Sequence, residues 1–503
     1  MSRTLLTTSI AYVNADPHIG YALELVQADV LARRRRRRGE DVRFQSGTDD
    51  NSLKNVRAAE AAGLPTAVFV ERVGRRFRDL ATRLDVSYDD FVATGSDPRH
   101  RPGVEALWRA CAENGDLYRK TYSGRYCVGC EAYYTDAELS GGRCPEHGTV
   151  PELVEEENWF FRLSRYEDRL AGLVRSGRLR ILPETRRREV LAFVESGLED
   201  LSVSRSVERA RGWGVPVPDD PGQVVYVWFD ALANYLTGPG YPADAVGFER
   251  WWAGADEILH VVGKGISRFH AVYWPAFLLS AGLRLPDAIL VHEYLTVDGA
   301  RISKSAGNGV GPAELAETYG TDALRWWLAS DVARSGDTDF TEARLVGRAN
   351  EDLANTVGNL VNRTVNLVAR YRDGVVPAIG VADQLAEPLR RRRATTGDAV
   401  DSALDGFDLR RATAAVVAVA AEANRYAELR RPWELARAER DGAARDDLDA
   451  VLAELVATCR ALGELLAPFV PGLAARITAQ CDDGTGRLPE PRPVFPRLTE
   501  PSG

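Results

Sequence analysis

The chain has 503 residues, enough for roughly three domains at about 150 residues each. Apolar residues make up 45 % and charged residues 27 %, which excludes a disordered, collagen-like or disulfide-scaffold chain. A net charge of −9 excludes a global basic field, and neither a long apolar span nor a secretory leader pattern is seen, so a cytoplasmic protein with no membrane segment is expected. Two residue types are scarce. Met1 is the only methionine, and all but four of the 64 basic residues are arginine. The four lysines, Lys54, Lys120, Lys264 and Lys304, have survived a strong Arg-for-Lys bias, which makes each a better functional candidate.

Thr4 to Val13 is apolar and β-prone and breaks at Asn14-Ala15-Asp16-Pro17. Residues 20–38 follow with helical spacing of Ala22, Leu23, Leu25, Val26, Val30 and Leu31. Strand, turn and helix in this order predict the first unit of a doubly wound α/β sheet. Six arginines, Arg33 to Arg38, stand before Gly39 and read as a solvated helix C-terminus with a glycine cap. Residues 41–47 read as the next strand, ending at Thr48-Asp49-Asp50. Residues 120–150, dense in Gly, Cys and Tyr, read as a small inserted knuckle. Strand-like runs resume at Val224 to Phe229, Glu257 to Val262 and Ala288 to Val291, so the insertion splits one sheet. From about 341 the pattern is wholly helical, and Leu488 to Gly503, with five prolines, reads as an extended tail.

Three motifs carry chemistry. Cys127-Val-Gly-Cys130 and Cys144-Pro-Glu-His147 together supply a tetrahedral Cys3His set, the closed arrangement of a structural Zn²⁺ site. Asp16-Pro17-His18-Ile19-Gly20-Tyr21 stands where the first strand meets the first helix, a place suited to phosphate, with Gly20 allowing close approach of a nucleotide. Arg301-Ile302-Ser303-Lys304-Ser305 places one of the four lysines between small hydroxyl residues, where it can reach a triphosphate.

The His-Ile-Gly and Lys-Ser motifs together resemble the two signatures of class I aminoacyl-tRNA synthetases, and the detailed match is to the methionyl-tRNA synthetase family. It covers about residues 4–475. It is carried by Ala11-Tyr-Val-Asn14, by Tyr126-Cys-Val-Gly-Cys-Glu-Ala-Tyr-Tyr-Thr135 and by Glu157-Asn-Trp-Phe-Phe-Arg162. Gly197 to Arg205, Trp213 to Pro218, Val225-Tyr-Val-Trp-Phe-Asp-Ala231, Phe269-His-Ala-Val-Tyr-Trp-Pro275 and Leu429-Arg-Arg-Pro-Trp433 extend it.

The resemblance implies a Rossmann-type parallel catalytic domain split by a zinc-knuckle insertion and followed by an all-α, anticodon-binding bundle. The expected boundaries are 1–115, 116–222 (knuckle about 122–150), 223–340, 341–478 and a tail over 479–503. It implies that methionine is activated by ATP, with Mg²⁺, to an adenylate and passed to tRNA(Met). His18 and Lys304 are then the catalytic residues, and Gly20, Tyr21, Gly263, His292, Leu295 and Arg301 bind ATP with Lys304. Asp49 holds the substrate amino group. Ile10, Tyr12, Trp228, Ala231, Tyr235, Ile266, His270 and Trp274 form the side-chain pocket, since a thioether favours aromatic edges. Arg205 belongs to the inserted domain, and Asn359, Arg363 and Trp433 read the anticodon. Absence of the family's extra C-terminal dimerisation domain leads to the expectation of a monomer.

The chain departs from the family pattern at several places. Tyr21 stands for a histidine, Arg301 for a lysine and Ile302 for a methionine. Asp50-Asn51-Ser52 replaces Glu-His-Gly, Gly265 replaces an aspartate, and Glu293 replaces a glycine. These departures keep two alternatives open: a paralogue that adenylates an amino acid for a non-tRNA acceptor, and a non-catalytic tRNA-binding relative.

Overall fold

The computed structural model describes residues 2–129, 132–134, 136–146, 148–302, 311–378, 383–482, 484 and 486–499. These fall into two compact units. The first joins residues 1–17, 35–82 and 87–293, and the second joins 18–34, 83–86 and 294–503.

The first unit starts with β1 (Arg3–Thr8), whose alternate faces are both buried, as a parallel strand requires. β2 (Ala11–Tyr12) follows after a two-residue break. Helix α1 (Ile19–Arg37), which belongs to the second unit up to Arg34, is buried without interruption from Tyr21 to Ala32. β3 (Asp41–Asp49) and β4 (Asp90–Ala93) complete the first half of a sheet. The insertion then contributes β5 (Leu117–Cys127), β6 (Ala132–Tyr134) and β7 (Glu152–Phe161). β8 (Arg180–Leu182) returns to the main sheet, and β9 (Leu201–Ser202), β10 (Ser204–Ser206), β11 (Pro216–Val217) and β12 (Asp220–Val225) lead out of the insertion. Helix α2 (Val227–Leu232), β13 (Glu257–Gly263) and β14 (Ala288–His292) close the unit.

The central sheet is parallel throughout, in the order β4-β3-β1-β13-β14-β8, with β2 pairing to β3 beyond the end of β1. From β1 the chain steps one way to β3 and β4, and later the other way to β13 and β14. The reversal lies between β1 and β13, and open α/β sheets bind ligands at the carboxyl ends of strands at such a point. The insertion forms two antiparallel sheets, β6-β5-β7-β9 and β10-β12-β11.

The second unit has a small sheet of β15 (Leu295–Val297), β16 (Ala300–Arg301) and β17 (Thr338–Asp339). Helices then dominate: α3 (Thr321–Ser330), α4 (Asn359–Arg372), α5 (Glu387–Asp405), α6 (Leu409–Arg430), α7 (Pro432–Arg440), α8 (Asp446–Leu466) and α9 (Pro471–Cys481). The expected class, a parallel α/β sheet followed by an all-α region, is the observed one.

Two local expectations need correction. The apolar run Val224 to Phe229 is not one strand, because β12 ends at Val225 and α2 starts at Val227. Burial on every side makes a short helix and a strand equally apolar, so the run hides the change. The arginine run is also not simply solvated. Arg33 bonds Asp29, Arg34 bonds Asp401, Arg35 pairs with Glu40 and Glu257, and Arg36 bonds Ser87 and Asp89. Gly39 does stand in the left-handed region expected of the cap, at φ 83°. The tail has no regular structure over 486–499, yet Leu488, Val494 and Phe495 are buried and Asn350 bonds both polar groups of Leu498.

Candidate active site

The carboxyl edge of the sheet gathers the residues picked out from the sequence for the amino-acid pocket. Tyr12 ends β2, and its ring meets the edge of Trp228 at 6.3 Å. Trp228 stacks on Phe269 at 3.9 Å and turns its edge toward His270 at 6.2 Å. The Trp228 indole N–H is buried with no hydrogen-bond partner. Ala231 lies buried on α2. Ile10 is half-buried, and a Cβ placed on Gly47 would lie 2.8 Å from its Cγ2, so Gly47 leaves room for this side chain.

Hydrogen bonds orient both imidazoles. His270 Nδ1 faces the Ile266 carbonyl at 2.9 Å, so it donates, and Nε2 then accepts from the Tyr235 hydroxyl at 2.8 Å. His260 lies behind, stacked on Tyr235 at 4.2 Å. Its Nε2 accepts the Trp274 indole N–H at 3.3 Å, leaving Nδ1 to donate to Thr7 at 2.7 Å. Burial, with His270 nearby, pushes the His260 pKa well down. The result is a recess lined by aromatic rings. Trp274 is fully buried and supports His260 from behind. His260 and Phe269 were missed by sequence reasoning. Their only signal is apolar context, which does not separate a second layer from ordinary core.

Carboxylates stand beside the rings. Asp49 ends β3, is buried and accepts the Asn51 N–H at 3.2 Å. Asp230 takes a bond from the Asn51 side chain at 2.8 Å and from His100 Nε2 at 2.7 Å. Burial raises the Asp50 carboxyl to about 6, although Thr48, the Gly95 N–H, Arg78 and His100 pull it the other way. Lys54 lies 4.3 Å from the centre of the Tyr12 ring, a cation–π contact. Gly263 and His292 face each other in register across β13 and β14.

His18 is exposed, and its Nδ1 accepts the Gly20 N–H at 3.0 Å. Nε2 therefore carries the proton in the neutral ring and can donate to an oxygen. A Cβ on Gly20 would lie 2.8 Å from His18 Cε1, so Gly20 makes room for the His18 ring itself. Tyr21 and Leu295 are buried, and Arg301 pairs with Thr296 through the β15–β16 backbone. Lys304 lies outside the described residues.

In the insertion, Cys127 and Cys144 are buried in one cluster with Tyr134 and Leu139. The Cys144 carbonyl accepts the Gly148 N–H at 2.8 Å, and its N–H bonds Thr149 at 2.9 Å, closing a tight turn. Cys130 and His147 lie outside the described residues, among which no group of three metal-ligating side chains occurs. Two buried thiols on facing turns suit a zinc knuckle in chemistry and placement. Arg205 is buried on β10 among Tyr126, Tyr133 and Tyr226, 4.4 Å from the last ring centre, and donates to Ser202 and to the Ser204 carbonyl. On the helical side Asn359 is exposed and Arg363 half-buried, one turn apart on α4. Trp433 on α7, which packs against α4, is 43 % exposed.

A family model described as tRNA synthetases class I (M) matches residues 4–150 and 138–365. The methionine–tRNA ligase of Brucella suis is 40 % identical over 515 residues, covering 98 % of each chain. The chain belongs to the methionyl-tRNA synthetase family of class I aminoacyl-tRNA synthetases. The methionine–tRNA ligase of Mycobacterium tuberculosis (strain CDC 1551) is 40 % identical over 523 residues, covering 99 % of this chain and 98 % of that one. Among solved structures, M. tuberculosis methionyl-tRNA synthetase in complex with methionyl-adenylate has a TM-score of 0.92 at 39 % identity, covering 99 % and 100 % of the two chains. Its apo form has a TM-score of 0.85 at 36 % identity, covering 100 % and 99 %. No helix among the described residues is long and apolar enough to cross a membrane.

Proposed function

We propose that this chain activates methionine with ATP to methionyl-adenylate and transfers it to tRNA(Met). The observation that carries the reading is the ring-lined recess of Tyr12, Trp228, Tyr235 and His270 at the carboxyl edge of the sheet, in a chain matched end to end by methionine–tRNA ligases. Aromatic edges suit a polarizable thioether. Asp49 supplies a carboxylate for the substrate ammonium, with Ile10, Ala231, Ile266 and Trp274 shaping the pocket.

Activation needs little covalent work from the protein. The methionine carboxylate attacks the α-phosphate of ATP, and pyrophosphate leaves. Positioning and charge stabilisation carry the rate. His18 Nε2–H and Lys304 donate to the phosphate oxygens. Gly20, Tyr21, Gly263, His292, Leu295 and Arg301 complete the nucleotide site, and Mg²⁺ accompanies ATP. Arg205 acts from the insertion. Residues 1–115 and 223–340 form the activating domain, 116–222 the insertion, 341–478 the anticodon-binding domain and 479–503 the tail. Asn359, Arg363 and Trp433 read the anticodon by hydrogen bonding and stacking. Cys127, Cys130, Cys144 and His147 hold a structural zinc, which ties the knuckle together when bound. The protein works in the cytoplasm.

The test is pyrophosphate exchange across a panel of amino acids, followed by charging of tRNA(Met). Methionine-dependent exchange with charging is the expected result. Exchange without charging points to the non-tRNA acceptor, for which the departures at Tyr21, Asn51, Gly265 and Glu293 speak. No exchange with any amino acid overturns the enzymatic reading.

A further inference from the structure

β13 and β14 end side by side, with Gly263 facing His292. The next residue on each strand is charged, Lys264 on one and Glu293 on the other. The Glu293 side chain is completely buried, whereas Lys264 keeps 21 % of its exposure. Arg186, from the helix Glu184–Glu195, grips the Glu293 carboxylate with both arms of its guanidinium, Nε lying 3.0 Å from Oε1. Its third nitrogen, Nη1, bonds Glu189 at 2.5 Å. Lys264 Nζ stands 3.7 Å from Oε2 of the same carboxylate.

These contacts differ in kind. A carboxylate taken out of water needs a closely bonded cation, and the two-armed contact with Arg186 supplies it. The lysine is held at ion-pair distance rather than hydrogen-bonded to Glu293. Two cations meet two carboxylates here, but Glu189 is 58 % exposed and bonds only the far nitrogen of Arg186, so at the carboxyl end of β13, beside the sheet's reversal point, the buried Glu293 carboxylate lies between Arg186 and Lys264. The cation that is not hydrogen-bonded to Glu293 is a lysine, one of only four in a chain whose other basic residues are all arginine. A compact ammonium meets phosphate oxygens as a point charge from many angles, which a planar guanidinium does not.

We propose that Lys264 contacts the phosphate groups of ATP and that the buried Glu293–Arg186 pair is the positioning element that aims it. The proposal rests on the ATP-dependent activation read above and adds a cation and its support to that site.

The test combines pyrophosphate-exchange kinetics, calorimetric binding of a non-hydrolysable ATP analogue and thermal unfolding of the full chain. K264M is expected to raise the KM for ATP and weaken analogue binding by about tenfold or more, while the methionine KM stays within about twofold. K264R restores only part of this. E293Q shifts the ATP KM in the same direction by a smaller factor, and E293D recovers it. An ATP KM and analogue affinity within about twofold of wild type in K264M overturns the proposal, as does a rise confined to the methionine KM. If E293Q unfolds, K264M still decides. Wild type that shows no methionine-dependent exchange sinks the functional reading alone, since analogue binding by wild type and K264M reports on Lys264 independently.

Discussion

The sheet unit and the helical unit bury polar chemistry by opposite means. Around the recess of the first, rings stack on rings, and each imidazole nitrogen has one neutral partner. In the second, a fully buried arginine holds distant segments together. Arg325 on α3 bonds the carbonyls of Leu84, Pro468 and Phe469 and the carboxylate of Asp29 on α1. A ring-lined recess fails locally when one ring goes, because its neighbours still pack. A guanidinium that satisfies groups from three segments fails everywhere at once. Substitutions in the first region should therefore alter binding more than folding, and those in the second the reverse.

The largest effect is expected at the arginine. R325M takes the fully buried guanidinium away from the Asp29 carboxylate and removes the donor from three carbonyls. Breaking a buried ion pair from one side costs about 3–5 kcal/mol. Denaturant unfolding should show a loss of this size. A loss below about 1 kcal/mol would remove Arg325 as the hub, since an exposed pair costs that little.

Next in size is Asp50. Its carboxyl titrates near 6 in the fold and near 3.8 when unfolded, because burial disfavours the charge. Between these values the native state holds a proton that the unfolded chain has released. Stability therefore falls as pH rises from about 4 to 6, by on the order of 3 kcal/mol. D50N removes a group that titrates in this window. The difference in unfolding free energy between wild type and D50N should change across pH 4–6 and be flat above it. A difference that stays constant over the whole range contradicts the buried, protonated carboxyl.

What the sequence made legible follows from the range of the forces involved. The strands at 41–47, 257–262 and 288–291 and the helix at 20–38 are written in local apolar spacing, and the structure has them. The recess rings Tyr12, Trp228, Tyr235 and His270 came through family likeness, and the structure brings them together. What escaped depends on partners far along the chain. The bonds of Arg34 to Asp401 and of Arg325 to Asp29 have no local signature. The contact of Glu293 with Lys264 exists only through strand register. His260 looks like any other residue in an apolar strand until Thr7, Trp274 and Tyr235 surround it.

A smaller effect on the fold is expected at Tyr235. Y235F keeps the stacking on His260 and removes the hydroxyl that bonds His270. The cost to stability is about 1 kcal/mol, the net worth of one such bond. The imidazole loses its orientation, so the methionine KM in pyrophosphate exchange should rise several-fold with the ATP KM unchanged. Equal rises in both would mean that the ring acts through the sheet as a whole and not through the recess.

The least effect on folding is expected at Trp433. Its ring is 43 % exposed, Leu429 four residues earlier is 60 % exposed, and Asn359 on a helix that α7 packs against also faces solvent. A folded chain gains little from leaving two large apolar side chains in water at one place, but an unpaired base gains a stacking platform from them. W433A should change unfolding free energy by about 0.5 kcal/mol or less. It should leave methionine-dependent pyrophosphate exchange intact, because that half-reaction needs no tRNA. Charging should lose the stacking of one base, about 1–3 kcal/mol, seen as a tenfold or larger rise in the KM for tRNA. W433F should recover most of it. A W433A variant that charges tRNA normally but unfolds early would place this tryptophan with Arg325, as a brace of the helical unit rather than as part of a surface that waits for a ligand.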